Sequence, residues 1–197
     1  MKYVMSAAFL GFVAVCSGAM SAQAPAPGPR FTAAGELIRP ADFREWMFVT
    51  SGLGMTYNQP SGTPRTPSFT NVYVNPPAYH AFMKTGQWPD KTMFILEVRA
   101  SSSEGSINKG GHFQSNLIVI EASVKDEARY PGKWAYFDFG REMKPQVAPL
   151  ATTERCYACH GDNGAVDNTF VQFYPTLFDV ARKMGTLKPA FTDAAHH

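Results

Sequence analysis

Cys156-Tyr157-Ala158-Cys159-His160 follows a succession of strand-like segments, and its place late in the chain decides how the whole is read. The five residues spell C-x-x-C-H, the attachment signal of a c-type haem. Two thiols add across the two vinyl groups of the haem, and a two-residue gap matches the reach between them. The adjacent histidine is then placed to ligate the iron from one face. The chain has three cysteines, two of them in this motif. A redox C-x-x-C would favour a thioredoxin-like βαβ context, which is not visible here. A four-ligand zinc site would need further Cys or His at ligand spacing. The expected cofactor is therefore one covalent haem c on Cys156 and Cys159, with His160 as axial ligand.

The start of the chain agrees with that chemistry. Lys2 precedes an apolar run from Ala7 to Val15, and small residues follow, ending Ala22-Gln23-Ala24. This is the charged region, apolar region and A-x-A site of a signal peptide over residues 1–24. The apolar run is too short for a stable membrane span. Cys16 lies inside the segment and is expected to leave with it. C-type haem is attached outside the cytoplasm, so the expected location is the periplasm, with no membrane span after signal removal. Lys2 is the sole charged residue of residues 1–24, and without it basic and acidic residues nearly balance. Near-neutrality without a basic stripe excludes a nucleic-acid footprint. Residues 25–35, opening on a proline-rich run, read as a flexible leader, and residues 191–197 as a disordered tail in which His196 and His197 fray.

Between these ends the pattern is mixed. Phe43, Trp46 and Met47 share one helical face after Pro40 and Asp42. Pro76-Pro77 opens a short helix carrying Tyr79, Phe82 and Met83 on one side, with Gly86 as C-cap. Phe69–Val74 alternates imperfectly. In Met93–Ala100, Phe94, Leu96, Val98 and Ala100 take one strand face, Glu97 and Arg99 the other. Leu117–Val124 is nearly all apolar apart from Glu121 and Ser123, and Trp134–Phe139 is an aromatic strand. Gln59–Pro67 and Ser101–Gly111 read as loops. After the motif, a helical stretch holds Phe170, Phe173, Tyr174, Leu177 and Phe178, with Pro175 kinking or restarting it. A four-helix bundle could not accommodate these strands. The predicted class is α+β: an antiparallel β-sheet flanked by short helices, with one c-type haem attached near the C-terminus.

In this order the chain resembles the cytochrome P-460 / cytochrome c′-beta family. The resemblance runs from about Glu36 to Leu177. It is carried by Phe43-Arg44-Glu45-Trp46, Val72-Tyr73-Val74-Asn75-Pro76 and Lys84-Thr85-Gly86-Gln87-Trp88-Pro89-Asp90. It continues in Glu121-Ala122-Ser123-Val124-Lys125-Asp126, Trp134-Ala135-Tyr136-Phe137, the C-x-x-C-H and Phe173-Tyr174-Pro175. It implies a haem domain over residues 36–190, a periplasmic homodimer, and a His-ligated, largely five-coordinate iron. Hydroxylamine-oxidising members carry a lysine cross-linked to the porphyrin. Alignment through Asp90, Thr92 and Glu97 puts Leu96 at that position. Lys91 lies five residues earlier, and an odd offset on a strand points to the opposite face. The c′-beta members instead bind small gases in an apolar distal pocket. Phe94 and Leu96, with Phe69 on a neighbouring strand, are the expected distal wall; plain core packing is the alternative for Phe69 and Phe94.

Glu121 matches a carboxylate that the hydroxylamine-oxidising members use for proton transfer. A carboxylate in an apolar strand should have a raised pKa, which suits acid–base work. The alternative is a strand-end or interface residue paired with Arg99 or Lys125. His112 beside Gly110-Gly111 and His80 on its short helix read as surface residues. The leading expectation is a haem protein that binds a small gaseous or nitrogen-oxide ligand, nitric oxide or carbon monoxide. Two alternatives stand beside it. One is an oxidoreductase converting hydroxylamine or nitric oxide to more oxidised nitrogen oxides through Glu121, or a peroxidase-like enzyme. The other is an electron carrier with a periplasmic electron-transfer partner, which needs a sixth ligand such as Met143 or Met184.

Overall fold

The alternation over Met93–Ala100 becomes the central strand of an antiparallel sheet. The computed structural model describes residues 27–56 and 66–192. Within them lie β1 (Leu37–Ile38), β2 (Met47–Leu53), β3 (Ser68–Val74), β4 (Met93–Ser102), β5 (Phe113–Lys125), β6 (Trp134–Asp138) and β7 (Gln146–Val147). The α-helices are α1 (Pro76–Thr85), α2 (Arg155–Asn163) and α3 (Pro175–Met184). Strands β2 to β6 lie side by side in chain order, each neighbouring pair antiparallel, and β1 pairs β7 apart from them. The class is α+β, as expected.

Side chains alternate between the two faces of a strand, and the period sorts this sheet cleanly. Val74, Phe94, Trp134 and Tyr136 face a front layer that also holds Phe82 of α1 and Leu177, Phe178 and Ala181 of α3. Met93, Ile95, Ala122, Val124, Ala135 and Phe137 face a back layer closed by Leu37, Phe43 and Phe139. Phe82, Leu177 and Phe178 are almost wholly buried, each contributing roughly 1.5–3 kcal/mol. Docking rather than intrinsic propensity therefore holds these ten-residue helices. Pro76 and Pro77 occupy the first turn of α1, and Gly86 caps it at φ 68°. The Thr186 hydroxyl donates to Gly86 O at 2.7 Å, tying the end of α1 to the end of α3. Pro175 restarts the chain as α3 after a 3-10 turn at Val171–Phe173.

Several expectations need correction. The helical face of Phe43, Trp46 and Met47 is a single 3-10 turn, Phe43–Glu45, and Met47 already opens β2. Phe43 and Trp46 are core residues, so their spacing reflects burial and not an α-helix. The leader expected to be flexible over 25–35 is fixed from Pro27 onward. Asn75 donates to Pro27 O at 3.1 Å, and the Arg129 guanidinium stacks 4.1 Å over the Phe31 ring. Residue 191 does not belong to a disordered tail, because Pro189–Phe191 forms a 3-10 turn whose Phe191 packs on the front layer. Strand β5 begins at Phe113, ahead of the expected Leu117, and its first half is only partly covered. The expected signal segment with Cys16, most of the 59–67 loop, and His196 and His197 lie outside the described residues. Among the described residues no helix is long and apolar enough to cross a membrane.

Candidate functional site

A cavity of about 540 Å³ opens on the front face of the sheet, within the roughly 300–1,000 Å³ common for small-molecule pockets. Strand register builds its floor. Thr50, Val72, Leu96, Glu121 and Asp138 form one row across β2 to β6, each directly opposite the next. Phe94, Ser123 and Tyr136 form part of a second row. All of these line the cavity, and Cys156, Cys159, His160, Phe170 and Tyr174 complete it.

The motif residues come from α2. Positions three and four apart share one face of a helix, so Cys156, Cys159 and His160 all reach the same space. Both thiols are free. Burial pushes the Cys156 thiol up, and the Glu121 carboxylate adds to the shift. Helix α2 has no side-chain N-cap bond and is held by its neighbours instead. Tyr157 donates its hydroxyl to Leu150 O at 3.0 Å, and Tyr136 meets Tyr157 edge-on at 4.8 Å. Near the C-terminal end, Lys188 donates to Gly161 O and Gln172 to Asn163 O, each at 2.7 Å. These donors satisfy carbonyls that a helix end leaves open.

His160 lies between two aromatic rings, Tyr136 and Phe170, each with its centroid 4.4 Å away. Its Nδ1 is 2.9 Å from Asn168 O. A carbonyl only accepts, so Nδ1 carries the proton and Nε2 is the nitrogen available to a metal. Burial lowers the imidazole pKa, which the Asn168 carbonyl only partly offsets. The neutral, ligating form is thereby favoured.

Strand parity places the remaining predicted residues. Phe94 and Leu96 line the cavity. Phe69 does not: it pairs with Arg99 on the other face, and Thr70 and Val72 hold the cavity side of β3. Its run alternates too imperfectly for parity to be read without the register. Glu121 is opposite Leu96 and Asp138 and faces the cavity. Its carboxyl is accessible from that space while protein surrounds it elsewhere. Burial, then the Asp138 carboxylate, raises its pKa above the usual value. Its proposed partners are engaged elsewhere, Arg99 with Glu97 and Lys125 with Asp167. His80 and His112 are exposed and stand outside the lining. Met143 packs on the back layer and Met184 is on the surface, so neither reaches the cavity. Met55 does line it. Sequence reasoning missed Met55, Thr50 and Thr70; the register of β2 on β3 and of β3 on β4 brings the last two to the cavity.

No lysine is among the described lining residues. Lys91 precedes β4 in a left-handed conformation (φ 64°) and pairs with Asp126.

The family profile described as Cytochrome P460 matches residues 40–171, from before β2 to the segment after the motif helix. The chain belongs to the cytochrome P460 family. No curated protein matches it. Membership makes the chain a haem-binding cytochrome, and the cavity of this P460-family protein fits the group. It offers an imidazole with its second nitrogen available, two free thiols on the same helical face, and walls of Phe94, Tyr136, Phe170 and Tyr174.

Proposed function

We propose that this P460-family cytochrome is a periplasmic protein with one haem, held covalently by Cys156 and Cys159, that binds small neutral ligands such as nitric oxide or carbon monoxide. His160 would ligate the haem iron, which would supply a coordination position for such a ligand. The observation that carries this reading is the row Thr50–Val72–Leu96–Glu121–Asp138, which turns Leu96 to the cavity; the family resemblance implies that Leu96 stands at the position of the cross-linking lysine. Val72, Phe94 and Leu96 present hydrocarbon, and burying an ion against hydrocarbon is costly. Neutral diatomics lose little solvation there. Where ionised, Glu121 and Asp138 further repel anionic ligands.

The test is the absorption spectrum of the purified, dithionite-reduced protein, followed by carbon monoxide addition. An ordinary five-coordinate c-haem spectrum with ready carbon monoxide uptake is expected. A Soret band displaced far to the red would mean a lysine–porphyrin bond and overturn the reading. Slow uptake that becomes fast in Met55→Ala would mean a thioether-capped electron carrier.

A second reading is favoured by Glu121 facing the cavity with a raised pKa. Glu121 would then accept a proton from a bound nitrogen compound such as hydroxylamine during its oxidation, with electrons leaving to a periplasmic acceptor. Hydroxylamine-dependent reduction of an added acceptor, lost in Glu121→Gln, would establish it.

A further inference from the structure

The carbonyl that orients His160 sits on a tight turn. Val166 and Thr169 bridge each other, with Thr169 N–H donating to Val166 O at 3.0 Å. Between them Asp167 has φ 54°, a left-handed conformation that aspartate and asparagine adopt more readily than other residues with a side chain. The next residue, Asn168, supplies the oxygen that accepts from His160 Nδ1 at 2.9 Å.

Two ties from the sheet side hold this turn. The Trp88 indole donates to Thr169 Oγ1 at 2.8 Å, and that hydroxyl donates on to Val166 O at 2.7 Å. The second tie is ionic. Lys125, at the end of β5 and 42 residues away in sequence, donates from Nζ to Asp167 Oδ2 at 2.8 Å. The same ammonium donates to Trp88 O at 2.9 Å and has Glu127 at 3.5 Å. Its side chain is only 10 % exposed, so the charge is poorly screened. Lys125 therefore touches both anchors of the turn, through the Asp167 carboxylate and the Trp88 backbone.

We propose that Lys125 is a positioning residue for the axial histidine: through Asp167 it sets the Asn168 carbonyl against His160 Nδ1. Acceptance of the Nδ1 proton by a fixed carbonyl makes Nε2 a stronger donor to iron and fixes the ring's orientation. Releasing Asp167 removes the ionic tie that fixes the turn, and the Asn168 oxygen moves off the Nδ1–H axis. The proposal rests on the reading of His160 as the axial ligand.

The test uses the haem-loaded ferrous protein and reads the iron–histidine stretching band by resonance Raman, with the reduction potential alongside. Lys125→Met and Asp167→Asn are each expected to lower the band's frequency and raise the potential. The double variant should shift no further than the larger single, because both act through one contact. Lys91→Met removes an ion pair at the same end of the sheet that does not touch the turn, and should leave the band in place. Should Lys125→Met fail to fold, Asp167→Asn, whose side chain is partly exposed and unchanged in size, decides alone. Folded variants with wild-type frequency and potential would overturn the proposal. So would an equal shift in Lys91→Met, which would mark general loosening. A wild-type protein without a band that disappears in His160→Gly would remove the axial-ligand reading and the proposal with it. A band present but unmoved removes the proposal alone.

Discussion

At Glu121 one register position sets the proton affinity of a carboxyl. Its raised pKa comes from protein crowding and then from Asp138 across the β5–β6 ladder. A carboxyl whose folded-state pKa exceeds its unfolded value contributes stability that is fully present below the unfolded value and lost as pH rises through the folded one. Glu121→Gln should therefore flatten thermal stability against pH in the window just above the ordinary carboxylate range, and gain relative to wild type at its upper end. Thermal unfolding at a series of pH values checks this; identical profiles for the two proteins would refute it. Gly164 is the other decisive single residue. A Cβ there would lie 2.7 Å from both His160 O and Thr169 N, backbone atoms that cannot swing aside. Gly164→Ala is expected to cost roughly 1–3 kcal/mol by overpacking. It should also broaden the haem spectrum, since the contact joins the motif helix to the turn that orients its histidine. A calorimetric melting point and the absorption spectrum, measured together, test both effects.

At the scale of the element, β4 carries two environments on one strand. Leu96 faces the cavity. Glu97 faces the back, where it is 2 % exposed and accepts from Arg44 Nε at 2.9 Å, Asn71 at 3.1 Å and Arg99 Nη2 at 3.1 Å. Burial alone would raise the Glu97 pKa, but these donors outweigh it and hold the carboxyl below the usual range. The stabilisation is thus present above the unfolded value and is lost as pH falls through the lower folded one. Glu97→Gln should destabilise by less than the about 3–5 kcal/mol of a fully buried pair, because Arg44 is half in solvent. Denaturant unfolding at neutral and acid pH should show the gap to wild type closing on acidification. The alternation of β4 was legible because Phe, Leu and Val alternate with Glu and Arg. Strand β2 was not, because the apolar Phe43, Trp46 and Met47 happen to match helical spacing. Phe69 was misplaced because the parity of β3 is set by its partners, Val72 opposite Leu96, and not by its own residues.

For the whole molecule, the motif and its late position carried the class and the expected haem ligands, since an attachment signal is a short local pattern. The cavity walls are assembled from five strands and a helix, and only the register brings Thr50 to Asp138 into one row. Lys125 and Asp167 likewise meet only after folding. The family resemblance also implies a homodimer. Phe48 and Leu53, 55 % and 48 % exposed, sit on the edge strand β2 away from the cavity row, and large exposed apolar residues favour association. Sedimentation of the haem-loaded protein is expected to give a dimer, with Leu53→Glu shifting it toward monomer. A wild-type monomer at all concentrations would exclude the assembly.

The two faces of β4 have a consequence for which changes in chain length this protein tolerates. Leu96 and Glu97 are neighbours, so their separation into cavity wall and ionic back layer depends on counting alone. Deleting Ile95 would turn the Glu97 carboxylate toward the cavity and bring Val98 before the Arg44 guanidinium, although no functional residue had been substituted. Divergence along this strand is therefore open to replacement and closed to insertion or loss.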